Sequence, residues 1–148
     1  MYYKNKVAWV TGASSGIGEA LAYALNKKGA RLILSARREE ELNRVKENCS
    51  GDPERIVILP LDLTKTETLQ DKAREAGAVF GGVDILFNNG GISQRALALE
   101  AEMESISKLM EVNFFGTIAL TKAVVPGMID RGHGHVVVTS SVMGKIGT

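Results

Sequence analysis

Residues 11–18, Thr11-Gly12-Ala13-Ser14-Ser15-Gly16-Ile17-Gly18, join a short apolar run to a stretch of helical spacing. The run is 7–10, and the helical stretch is 17–28, with Ile17, Leu21, Ala24 and Leu25 on one expected face and Gly29 at its C-terminal stop. A glycine pattern is informative only in such a place, between a strand and a helix. Gly12 permits a tight turn, Gly16 lets main chain approach a pyrophosphate, and Gly18 allows close packing of the helix. The free amides of the helix start, together with its dipole, then favour an anion.

The same rhythm continues outward. Further apolar runs at 31–35, 56–59, 83–87 and 135–139 predict strands, and their near-continuous apolarity suits parallel strands covered on both faces. Helices are predicted at 39–48, from a capping box of Thr64 and Glu67 to about Phe80, and at 103–130, with Pro126 bending or ending the last. Right-handed crossovers leave few arrangements of such units. The expected fold is an α/β Rossmann-type, doubly wound parallel sheet of order 3-2-1-4-5, with residues 1–148 as one dinucleotide-binding domain. Ligands of such sheets lie at the carboxyl ends of the strands.

Composition narrows the classes of function. The 148 residues are 45% hydrophobic and 24% charged, and 18 basic against 17 acidic residues leave a net charge of +1. That balance gives no electrostatic footprint for nucleic acid or an anionic membrane. The one cysteine, Cys49, excludes an internal disulfide and a thiolate-rich metal site. Residues 1–6 are polar and lack the pattern of a signal peptide, and no uninterrupted apolar run approaches the roughly 18 residues of a membrane span, so a cytoplasmic protein is expected. His133 and His135 flank Gly134 with no carboxylate or cysteine near them in sequence, and they read as surface residues without a metal.

Several polar groups fall at the expected ligand edge. The second strand ends in Ser35-Ala36-Arg37-Arg38. An acid there would accept a ribose hydroxyl; two guanidinium groups instead suit a 2′-phosphate, favouring NADP over NAD. Asp62 and the stretch Asn88-Asn89-Gly90-Gly91 follow the third and fourth strands, where they read equally well as turn residues. Asn113, with Ile106, Met110, Phe114 and Thr117 near it on a helical face, reads as a buried amide in need of partners. Thr139-Ser140-Ser141 ends the fifth strand.

Together these residues resemble the compact subclass of short-chain dehydrogenases/reductases, whose first turn reads TGxxxGxG, and the resemblance covers essentially the whole chain. It implies that Gly12, Ser14, Ser15, Gly16, Ile17 and Gly18 cradle the cofactor and that Arg37 meets the 2′-phosphate. It further implies that Asp62 and Leu63 hold the adenine and that Asn89 and Gly90 line the cleft. Ser141 would contact the substrate oxygen, and Asn113 would help hold a water connected to the catalytic lysine. Gly90-Gly91 departs mildly from the alanine–glycine pair usual in the family.

The larger departure is that the family's YxxxK pair should begin about a dozen residues after Ser141, and no tyrosine follows Ser141 before Thr148. The expectation is therefore a fragment, truncated after the fifth strand, without normal turnover of its own. Its parent would be an NADP-dependent oxidoreductase moving hydride between the nicotinamide and a small carbonyl or alcohol, homo-oligomeric at full length. The competing reading is a non-catalytic dinucleotide-binding module. Neither the substrate nor the direction of reaction follows from these residues.

Overall fold

The computed structural model describes residues 2–145. Strand β1 (Val7–Thr11) lies at the centre of a five-stranded sheet, between β2 (Arg31–Ser35) and β4 (Ile85–Asn88). β3 (Ile56–Ile58) and β5 (His135–Val138) form the two edges, giving the order β3-β2-β1-β4-β5 with every pairing parallel. Trp9 stands opposite Ile33 on one side and Leu86 on the other.

Alternation along the strands divides the core in two. Trp9, Ile33 and Leu86 face α3 (Leu69–Val79) and α5 (Thr117–Asp130), whose Ala73, Ala76, Leu120 and Val124 pack on them. Ala8, Val10, Leu32, Leu34 and Phe87 face α1 (Gly16–Lys27) and α2 (Glu39–Glu47), which contribute Ala22, Leu25, Leu42 and Val45. Helices on both faces cover the inner strands, as a parallel sheet requires.

Trp9 is fully buried and carries a polar N–H into this core. Its Nε1 donates to Ser35 Oγ at 2.8 Å, and that hydroxyl donates onward to the carbonyl of Leu59 at 2.6 Å. Ser35→Ala removes both partners at once, and the buried indole N–H and carbonyl left behind are expected to lower stability by about 1–3 kcal/mol. A shifted midpoint of urea denaturation, with unchanged slope, would register the loss.

Several expectations need correction. The buried face of α1 is Gly18, Ala22, Leu25 and Asn26, while Ile17 is 63% exposed and Ala24 is exposed too. The helix starts beyond the end of β1, so its first turn projects past the sheet. The capping box at Thr64 does not form. Both the N–H and the hydroxyl of Thr64 donate to Asp62 Oδ1, at 3.0 and 2.8 Å, and α3 starts only at Leu69, after a 3₁₀ turn at Thr66–Thr68. β5 is exposed on both faces, because among the described residues no strand lies beyond it and no helix covers its valines.

The helical region Met103–Asp130 has the bounds expected of it but is not uniformly α-helical. It consists of α4 (Met103–Met110), a π-helical stretch (Glu111–Gly116) and α5, 28 residues in all. An 18-residue window within it has a mean hydropathy of 1.4, so by length and composition this helix is long and apolar enough to cross a membrane. Counting uninterrupted apolar runs overlooked it, since single polar residues break the run without lowering the mean. Leu120, Val124 and Met128 of this helix lie in the sheet core.

Candidate functional site

A cleft of about 750 Å³ opens where β1, β2, β4 and β5 end. This is the point at which the strand order reverses, the place where open α/β sheets bind ligands. Apart from Gly16 and Gly18, every residue singled out from the sequence lines it: Gly12, Ser14, Ser15, Ile17, Arg37, Asp62, Leu63, Asn89, Gly90, Asn113 and Ser141.

Thr11 organises the first wall. Its buried Oγ1 donates to the carbonyl of Phe87 at 3.2 Å and accepts the N–H groups of Asn89 and Gly90 at 3.0 and 2.9 Å. Asn89 returns the contact, donating from Nδ2 to the carbonyls of Thr11 at 3.2 Å and Gly12 at 3.4 Å. Thr139, at the end of β5, donates to Asn89 Oδ1 at 3.0 Å. The turn after β1, the segment after β4 and the end of β5 are thus one hydrogen-bonded unit. The sequence puts Thr11 in the turn and Thr139 at the ligand edge but does not disclose that they anchor the walls, since a hydroxyl at a strand end has no distinctive pattern.

The glycines fit the turn for different reasons. Gly12 has φ 64°, and a methyl group on it would stand 2.8 Å from Gly90 Cα. Gly16 has φ 56° with open space in front of it. Gly18 is packed so closely that a methyl group would be driven into the Gly12 carbonyl. Ser15, the residue before α1, forms no side-chain cap, so the helix start presents its amides without a local acceptor. Bare amides and open space at Gly16 fit a phosphate-bearing ligand.

Arg37 and Arg38 are exposed on the second wall, with Ala36 between them and Ser35. Asp62 lies in the same cleft. Burial pushes its carboxyl up, but hydrogen bonds from the Thr64 N–H and hydroxyl, with Arg37 and Lys65 nearby, outweigh it and leave the group below its ordinary value. Asp62 is therefore ionised at neutral pH and available as an acceptor.

Asn113 is exposed, contrary to the buried amide expected. It sits in the π-helical stretch and pairs with the main chain of Ile92, accepting its N–H at 2.9 Å and donating to its carbonyl at 2.8 Å. A π turn inserts an extra residue and re-aims the side chains around it, which a 3.6-residue periodicity does not anticipate. Ser140 and Ser141 line the cleft beside Thr139 and Val138. Val112, Thr117, Ile92 and Ser93 line it too, though sequence reasoning assigned none of them a role of its own at the site.

The histidines stand away from the cleft, around the start of β5. His133 Nε2 lies 2.9 Å from Asp84 Oδ1, a partner 49 residues distant in sequence, and His135 Nδ1 is 2.6 Å from the hydroxyl of Tyr2. Among the described residues no group of three or more metal-ligating side chains occurs.

Fold and cleft together define a Rossmann-type nucleotide-binding protein. The sequence model described as short chain dehydrogenase matches residues 6–148, and the chain belongs to that family. It is 49% identical over 146 residues to dehydrogenase/reductase SDR family member 7 of Homo sapiens, covering 96% of this chain and 43% of that protein. It is 38% identical over 149 residues to dehydrogenase/reductase SDR family member 7B of Mus musculus, covering 98% and 46%. A solved short-chain dehydrogenase from Streptomyces avermitilis superposes with a TM-score of 0.90 at 38% identity, over 97% of this chain and 52% of that one. The chain thus spans about half the length of the relatives it matches.

Proposed function

We propose that these residues are the cofactor-binding part of an NADP-dependent oxidoreductase acting on a small carbonyl or alcohol. The carrying observation is the makeup of the wall after β2: Ala36, Arg37 and Arg38, with no acid, face the same cleft as the glycine-rich turn. A phosphate on the adenosine ribose finds two guanidinium groups there, which bind such groups through charge-assisted hydrogen bonds. Asp62 and Leu63 would take the adenine edge, and the α1 start the pyrophosphate.

A nicotinamide held there would supply or accept hydride. Ser141 donates a hydrogen bond to the substrate oxygen, which draws electron density away from the reacting carbon. Asn113, by gripping Ile92 at both polar ends, fixes the main chain after β4 against the helix that faces it.

Titration of the natural full-length protein with NADPH and NADH, followed by nicotinamide fluorescence, tests the cofactor assignment. NADPH should bind more tightly by about tenfold or more, the value of one or two charge-assisted hydrogen bonds. Equal affinities, or tighter NADH, would overturn it. If neither dinucleotide bound, the oxidoreductase reading itself would fall.

A further inference from the structure

The glycine-rich turn is gripped from outside the cleft by a residue of α2. Arg44 donates from Nη2 to the main-chain carbonyl of Ser14 at 3.1 Å. The same guanidinium holds Glu19 of α1 at both oxygens, Nη1 to Oε1 at 2.8 Å and Nη2 to Oε2 at 2.9 Å, and its Nε donates to Glu41 at 2.9 Å. Tyr23 adds a hydrogen bond to Glu19 at 2.7 Å. Hydrogen bonds from Arg44 and then from Tyr23, against the opposing effect of burial, hold the Glu19 carboxyl at about 2, so the pair is intact at neutral pH.

Two simpler roles fit less well. Arg44 is absent from the cleft lining, and four of its five N–H groups are already engaged beside two carboxylates, so it is no spare cation for a phosphate. An ordinary surface ion pair would contribute little. What sets Arg44 apart is the bond to Ser14. The carbonyl of Ser14 and the N–H of Ser15 lie on opposite edges of one trans peptide, so holding the first fixes the direction of the second. Ser15 lines the cleft and immediately precedes α1.

We propose that Arg44 is a positioning residue for dinucleotide binding: it locks the Ser14–Ser15 peptide plane and sets the spacing between the glycine-rich turn and the Arg37-Arg38 wall. The inference rests on the cofactor reading above. It places Arg44 behind the adenosine-phosphate half of the ligand and gives it no part at the nicotinamide end.

The test uses the natural full-length protein and the variants Arg44→Met, Arg44→Lys and Glu41→Gln, each titrated with NADPH and with adenosine 2′,5′-bisphosphate, with thermal melting measured alongside. Lysine can keep a pairing with Glu19 but lacks the planar fork that reaches Glu19 and Ser14 together. Arg44→Met and Arg44→Lys should each weaken both ligands by about tenfold, and Arg44→Lys should do so without a large change in melting. Glu41→Gln, which leaves the Ser14 bond, should bind like the parent.

Unchanged affinity in Arg44→Lys would overturn the proposal. So would a loss confined to NADPH and absent for the bisphosphate, or a loss that disappears on cooling to where the variant is fully folded. Should Arg44→Met fail to fold, Arg44→Lys decides alone. A parent protein that binds neither ligand would instead refute the cofactor reading, and the positioning role with it.

Discussion

Gly18→Ala is expected to weaken NADPH binding by about a hundredfold and to destabilise the fold by about 3 kcal/mol or more, the upper end for overpacking a closed site. The added methyl group meets the Gly12 carbonyl and stands 2.7 Å from Asn89 Nδ2. None of these atoms is the free end of a flexible chain. Gly12 belongs to the turn itself, and Asn89 is fixed by Thr139 and by two main-chain carbonyls. Relief therefore requires α1 to move away from the turn, which carries its unbonded amides out of place. Gly77→Ala on α3 provides the contrast, because nothing lies within 4 Å of a methyl group there. That change should stabilise by about 0.5–1 kcal/mol through helix propensity and the stiffer unfolded chain. Urea denaturation and NADPH titration of the two variants should move in opposite directions for stability, and only Gly18→Ala should lose ligand. A Gly18→Ala protein that melts and binds like the parent would show that the turn is more compliant than its packing indicates.

Ala36→Asp is expected to reverse the preference between the two dinucleotides. A carboxylate placed after Ser35 can accept the ribose hydroxyls of NADH and repels a 2′-phosphate. It would also pair with Arg37 or Arg38 and withdraw their donors. Two unit charges about 5 Å apart at a partly exposed site interact by roughly 3 kcal/mol, so NADPH affinity should fall by about a hundredfold or somewhat more. NADH affinity should hold or rise. The ratio of the two dissociation constants is the quantity to read, since a general loss of fold lowers both together. An unchanged ratio would mean that the adenosine ribose lies elsewhere.

What the sequence disclosed follows from how local each signal is. The strand 31–35 and the glycine-rich turn were legible because apolar runs and glycine spacing are properties of adjacent residues. The sheet order followed from alternation and handedness. Errors arose wherever a competing partner or the placement of an element in the fold decided the outcome. Thr64 has the pattern of a capping residue, yet Asp62 takes both of its donors. Ile17 has helical spacing, yet it lies beyond the sheet it was expected to cover. Arg44 stands in a charged stretch that reads as a solvated helix face, and only the folded chain brings it to Ser14 and Glu19. The cleft shows the same division. Its glycines and arginines were visible in sequence, while Thr11, Thr139 and Ile92 act through contacts with residues far away in the chain that no residue pattern encodes.

The π-helical stretch Glu111–Gly116 holds one residue more than a regular α-helix would use for the same arc. Each residue of an α-helix turns the chain by about 100° and advances it about 1.5 Å, so an extra residue in an unbroken helix would rotate everything beyond it by about a quarter turn. The wider loops of the π stretch take up that residue locally, and α4 keeps its heading relative to the α5 anchored in the core. Deleting one residue there would restore regular α-helical bonding and leave both flanking helices in place, and the whole effect would fall on the stretch itself, where Asn113 meets Ile92.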